Sequence, residues 1–99
     1  MAFSILYTED ATKDLEQIKA RSINDCNFIL SKIENILTAN PFPFGTTIKR
    51  LRNIQPVMYR LRINATQSYR VFYRIIGNSI YIIKVVPKKD AEKILKRYF

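Results

Sequence analysis

The sequence predicts an α+β fold: an antiparallel sheet of four to five strands, an N-terminal helical hairpin on one face and a short C-terminal helix. Three observations carry this. Apolar residues recur at helical spacing only in residues 8–40 and after Pro87, β-branched and aromatic runs crowd the stretch from Thr47 to Val86, and two connections between those runs have hairpin chemistry. With 99 residues, 47% of them hydrophobic, the chain is expected to form one domain, 1–99, around a real core.

Phe3–Tyr7 reads as an opening strand with Phe3, Ile5 and Tyr7 on one face. A helix follows, capped by Thr8 or Asp10 and carrying Ala11, Leu15 and Ile18 at i, i+4 and i+7. Ser22-Ile-Asn-Asp25 resembles a capping box with Asp in place of Glu, and it opens a second helix striped by Cys26, Ile29, Leu30, Ile33, Ile36 and Leu37. Asn40-Pro41 ends that helix, and Pro41–Gly45 is a stiff link to the sheet.

Strands are expected at Thr47–Leu51, Val57–Ile63, Tyr69–Ile76 and Ile80–Val86. Asn64–Ser68 reads as a five-residue hairpin loop, and Gly77-Asn78, with Gly first, as a type II′ turn. Ile80–Val86 is apolar on both faces, which places it inside the sheet. The run after Pro87 makes a terminal helix with Ala91, Ile94, Leu95 and Tyr98 for packing and Lys89, Lys93, Lys96 and Arg97 toward water.

Composition removes several function classes. Without His, imidazole catalysis and most zinc sites are excluded, and one Cys cannot make a thiolate cluster, so no metal and no cofactor is expected. Two glycines cannot build a phosphate-cradling loop of the nucleotide-binding kind. The lone Cys26, set among Phe28, Ile29 and Leu30, reads as a small core residue. No secretory signal and no membrane span is expected, since Ile80–Ile83 is stopped by Lys84, and the expected compartment is the cytoplasm.

The charge is the informative remainder. Residues 41–99 hold thirteen Lys/Arg against two acids, whereas residues 1–40 hold four against six. Arg60 and Arg62 share one strand face, as do Arg70, Phe72 and Arg74 on the next strand. Alternating Arg is also how an ordinary half-exposed sheet stays wet, but such a face normally mixes acids with bases, and none occurs between Pro41 and Lys89. A guanidinium-rich face with an aromatic within it suits a phosphodiester and a stacked base.

The order strand, helical hairpin, antiparallel strands, with L-R-N-I-Q-P-V-M-Y-R-L-R-I at 51–63, Y-R-V-F-Y-R-I at 69–75 and I-Y-I-I-K-V-V-P-K-K at 80–89, resembles the RelE/ParE toxin superfamily of type II toxin–antitoxin systems. The resemblance covers nearly the whole chain. Its RelE branch implies a ribosome-dependent, metal-independent endoribonuclease, an mRNA interferase that cuts in the A site with the RNA's own 2′-hydroxyl as nucleophile. The cationic residues of that site match Arg60, Arg62, Arg70 and Lys88 or Lys89, and the terminal-helix Tyr of the family matches Leu95, with Tyr98 nearly one turn later. Arginine is a poor base, and crowding by like charge makes a lysine a better one, which puts Lys88 or Lys89 forward for proton removal. Lys49, Arg50, Arg52, Phe72, Arg74 and Lys93 are the expected RNA contacts.

The same resemblance implies a RelB-like antitoxin as partner, received at apolar residues such as Phe42, Phe44 or Phe99, together with the ribosome. The ParE branch implies a gyrase poison without the cationic set. A third reading, an RNA-binding module without activity, stays open beside these two.

Overall fold

The computed structural model describes residues 3–98, with the Tyr98 side chain outside the described set, so Phe99 as a docking residue also lies outside it. The elements are β1 (Ser4–Tyr7), α1 (Glu9–Arg21), α2 (Ile23–Lys32), β2 (Ile48–Arg50), β3 (Tyr59–Asn64), β4 (Ser68–Ile76), β5 (Ser79–Pro87) and α3 (Lys88–Tyr98). They form an α+β fold around a five-stranded sheet in the order β1-β5-β4-β3-β2.

Local chemistry explains the helical hairpin. Thr8 caps α1, its hydroxyl accepting from Ala11 N at 3.2 Å while donating to the Ile82 carbonyl at 2.9 Å, so the same group ties the helix start to β5. Ser22 serves two helices: its N–H donates to Ile18 O at the end of α1, and its hydroxyl accepts from Asp25 N at the start of α2. The stripe of α2 runs on through a π-helical turn over Ile33–Leu37, for which the apolar spacing gives no sign. Ala11, Leu15 and Ile18 with Cys26, Ile29, Ile33 and Leu37 pack against Leu61, Ile63, Tyr69, Val71, Tyr73 and Ile82 on one sheet face. Each fully buried side chain of that size contributes about 1.5–3 kcal/mol.

Three details differ from expectation. β1 runs parallel to β5, with Ser4 opposite Ser79 and Tyr7 opposite Ile82, while every other pair is antiparallel. Pairing between chain segments so far apart leaves no local sequence signal. The β3–β4 connection is shorter than five residues, because Asn64 pairs with Ser68 and leaves Ala65–Gln67 as the loop. Only half of the expected capping box forms: Ser22 Oγ accepts from Asp25 N, while the Asp25 carboxylate is buried against Thr66 and Tyr69. The Gly77 turn is as read, with φ +60 at Gly77 and Ile76 opposite Ser79.

The other sheet face holds a second, smaller core. Met58, Phe72 and Val86 are buried there under Ala91, Ile94 and Leu95 of α3 and under Leu51 and Ile54 of the β2–β3 loop. A bulge aims β5 at this core, since Phe72 pairs with Lys84 and Tyr73 with Ile82, leaving Ile83 as the extra residue.

Candidate active site

Strand parity assembles the site. Cross-strand partners point to the same face, and Arg60 is the partner of Phe72, which lies in the small core away from the helical hairpin. Arg62 and Arg70 are direct partners two residues along, and Arg74 follows two residues after Phe72 on β4. All four arginines therefore occupy the face opposite the hairpin. Like charges directly opposite on neighbouring strands destabilise a sheet, so stability alone gives no reason for this arrangement.

The guanidiniums are held by backbone rather than by acids. Arg70 is buried, and its Nη1 donates to the Tyr69 carbonyl at 3.2 Å. Arg60 Nη2 donates to the Thr46 carbonyl at 2.8 Å. The ion pairs among the described residues, Lys13–Glu9 and Lys84–Asp14, involve none of the four. Burial first, then the Arg62 charge, pushes the Arg60 pKa down; burial first, then Arg60 and Arg62, does the same to Arg70. Arg60 thus feels the Arg62 charge and Arg70 feels those of Arg60 and Arg62, while guanidiniums stay charged at neutral pH. The buried Nε atoms of Arg60 and Arg74 have no hydrogen-bond partner among the described residues. An unmet buried donor costs about 1–3 kcal/mol, an expense an anionic ligand would remove.

Lys88 and Lys89 open α3 at the same end of the sheet, since Val86, the partner of Arg70, lies two residues before Lys88. Both are exposed and share a surface depression with Gln67, Ser68 and Glu92. Leu95 packs against the small core, and the Tyr98 side chain is outside the described residues.

The expected RNA contacts divide. Lys49 is exposed opposite Arg60 and Arg74 lies opposite Tyr81, so both belong to the cationic face. Arg50 is the partner of Tyr59, whose ring stacks on the core residue Tyr73 at 5.6 Å, so parity turns Arg50 to the hairpin side. Arg52 stands in the β2–β3 loop and borders a separate depression with Arg50 and Asn53. Lys93 faces a groove between α1 and α3, beside Asp14 and Asp90. Phe72 is fully buried, which corrects its reading as a stacking platform: its ring is core, covered by α3 and the β2–β3 loop.

Sequence reasoning gave Asp25 a capping role and assigned neither it nor Thr66 or Tyr69 to the site, yet these three join α2 to the β3–β4 turn beside Arg70. The one signal for them is an acid in line with the buried stripe, since Asp25, Ile29, Ile33 and Leu37 recur every four residues.

No protein-family model matches this sequence, and no curated protein does. Solved structures do match in shape. A mutant of the E. coli toxin RelE in the free state aligns over 100% of both chains with a TM-score of 0.64 at 19% identity. The chain has the RelE fold. The toxin–antitoxin complex RelBE2 of Mycobacterium tuberculosis contains a chain that aligns at TM-score 0.65 and 20% identity, over 89% of this chain and 100% of that one. The archaeal RelE–RelB complex of Pyrococcus horikoshii OT3 gives 0.64 and 24%, over 89% and 97%. On that RelE fold, the acid-free face of β3 and β4 and the start of α3 are where this chain concentrates its cations. All three bear the RelE or RelBE name, so the ParE alternative is not favoured by them.

Proposed function

We propose that this chain is the toxin of a type II toxin–antitoxin pair and acts as a metal-independent, ribosome-dependent endoribonuclease on mRNA in the A site. The observation that carries the reading is the acid-free cluster of Arg60, Arg62 and Arg70 on one face of β3 and β4, with Arg60 and Arg70 partly desolvated, on a RelE fold. In the reaction the RNA's 2′-hydroxyl gives up its proton and its oxygen attacks the adjacent phosphorus. The bond from phosphorus to the 5′-oxygen breaks and that oxygen takes up a proton in place of the one removed, so that a 2′,3′-cyclic phosphate and a 5′-hydroxyl result. No water and no external nucleophile is needed.

The three arginines stabilise charge growing on the phosphate, the task that fixed donors in a water-poor site perform best. Lys88 or Lys89, exposed beside Gln67 and Ser68, is the proposed base that takes the 2′-hydroxyl proton. Lys49, Arg52 and Arg74 add sequence-independent attraction to RNA. Because two of the structural relatives are complexes of a toxin with its antitoxin, a RelB-like antitoxin is the proposed partner, with the half-exposed Phe42 and Phe44 available to it. Among the described residues no helix is long and apolar enough to cross a membrane, and the proposed place of action is the cytoplasm.

The test is cleavage of mRNA on purified ribosomes, with cut sites mapped by primer extension. Cuts in translated mRNA that vanish in a folded Arg70→Ala variant are the expected result. Intact mRNA together with inhibited gyrase supercoiling would overturn the reading.

A further inference from the structure

Asp25 lies on α2, across the sheet from the arginines, and is almost fully buried at 3% exposure. Its two carboxylate oxygens collect three donors from one short stretch: Thr66 N at 3.3 Å, Thr66 Oγ1 at 2.5 Å and the Tyr69 hydroxyl at 3.0 Å. Gln67 Nε2 adds a bond to the same Tyr69 hydroxyl at 3.2 Å. Ala65–Gln67 is the entire connection between β3 and β4, so a single buried carboxylate anchors the tip of that hairpin to the helical layer.

That tip carries the site. Tyr69 places its ring on the helical face while its carbonyl holds the Arg70 guanidinium, and Arg70 faces Arg62 across the strands. Gln67 and Ser68, on the tip itself, share a depression with Lys88 and Lys89. Arg62 and Arg70 face each other as like charges outside any ion pair among the described residues, and the Asn64–Ser68 pairing, the three-residue loop and its Asp25 anchor hold this end of the hairpin against that repulsion. The bonds to Thr66, foremost, and to Tyr69 hold the Asp25 carboxyl below its ordinary range, so it remains an anion throughout the neutral range.

We propose that Asp25 is a positioning residue: through Thr66 and Tyr69 it fixes the β3–β4 tip, and with it the arrangement of Arg62 and Arg70 toward Lys88 and Lys89. The assignment rests on the cleavage reading above. Asp25 touches neither substrate nor arginine and acts through the backbone of Tyr69.

The experiment compares Asp25→Asn with Ser22→Ala, which removes the cap bond to the Asp25 N–H but keeps the Asp25 carboxylate and its bonds to Thr66 and Tyr69. Asp25→Asn is expected to lower kcat for ribosomal mRNA cleavage at least 10-fold, and up to about 100-fold, with KM within about 2-fold, since small misplacements of catalytic groups have effects of that order. Ser22→Ala is expected to lower the melting temperature and leave kcat unchanged. Thr66→Val, at an exposed position, gives a second reading if Asp25→Asn fails to fold, with kcat again lowered at constant KM. Equal kcat in Asp25→Asn and Ser22→Ala, or an unchanged kcat in Thr66→Val when Asp25→Asn does not fold, overturns the assignment. The Arg70 Nε–H resonance, followed by NMR, separates this from failure of the cleavage reading. A shift of that resonance in Asp25→Asn supports the anchor even if Arg70→Ala still cuts, and an unshifted one argues against it.

Discussion

The two faces of the sheet are built by alternate residues of the same strands, and they do opposite things. On β3, Leu61 and Ile63 enter the dry core under the helical hairpin, while Arg60 and Arg62 between them turn to the other side. On β4, Tyr69, Val71 and Tyr73 are buried beneath the hairpin, while Arg70 and Arg74 flank Phe72 on the opposite face. The first face is filled by tightly buried apolar side chains. The second places like charges opposite one another and buries donors without partners, so its residues are poor choices for stability and good ones for an anion.

Breaking each face in turn tests that contrast. Leu61→Ala is expected to lower unfolding free energy by about 2–5 kcal/mol in urea titrations. A loss below about 1 kcal/mol would mean that the hairpin face is not the main core. Arg70→Ala is expected to lower the cleavage rate by about 10²–10³-fold, corresponding to about 2.7–4 kcal/mol of barrier, while the urea midpoint holds or rises. Rate and midpoint falling together would instead make Arg70 a structural residue.

Smaller effects sharpen the boundary between the faces. Phe72→Leu is expected to reduce stability by about 1 kcal/mol and to leave RNA affinity unchanged, because a covered ring touches no base. Arg62→Gln is expected to leave stability within about 0.5 kcal/mol of wild type, or raise it, and to reduce the slope of log K for RNA against log salt by about 0.7.

The finest test is pH. Asp25 has its carboxyl held low in the folded chain, so it favours folding above the unfolded value of about 3.9, and that contribution disappears as pH falls through the folded value. The stability gap between wild type and Asp25→Asn, read from urea midpoints, is therefore expected to be full at neutral pH and to close below about pH 4. A gap of constant size across that range would count against a charged anchor.

Strand parity is legible in the sequence because the side-chain period of two holds whatever the tertiary context: spacing groups Arg60 with Arg62 and Arg70 with Arg74, and the pairing of Arg62 with Arg70 makes the two faces one. Burial is not legible in the same way. Phe72 shares that parity, yet α3 and the β2–β3 loop fold over it, and neither approach leaves a mark near position 72. Arg50 groups with its neighbours by charge, whereas its pairing with Tyr59 sends it to the other side. Asp25 looks like a cap because Ser22 precedes it at cap spacing; its partners, Thr66 and Tyr69, are more than forty residues away.

The parallel pairing of β1 with β5 bears on how the chain is made. Thr8, directly after β1, donates its hydroxyl to the Ile83 carbonyl across a separation of 75 residues, so β1 has no strand partner until β5 has been synthesised. Contacts of such range are slow to form, and they are formed late. Lys88 and Lys89 follow directly on β5, so the sheet edge and the cationic cluster are completed at almost the same moment in synthesis. A nascent chain halted before Ser79 carries the four arginines but has neither the β1–β5 pair nor Lys88 and Lys89.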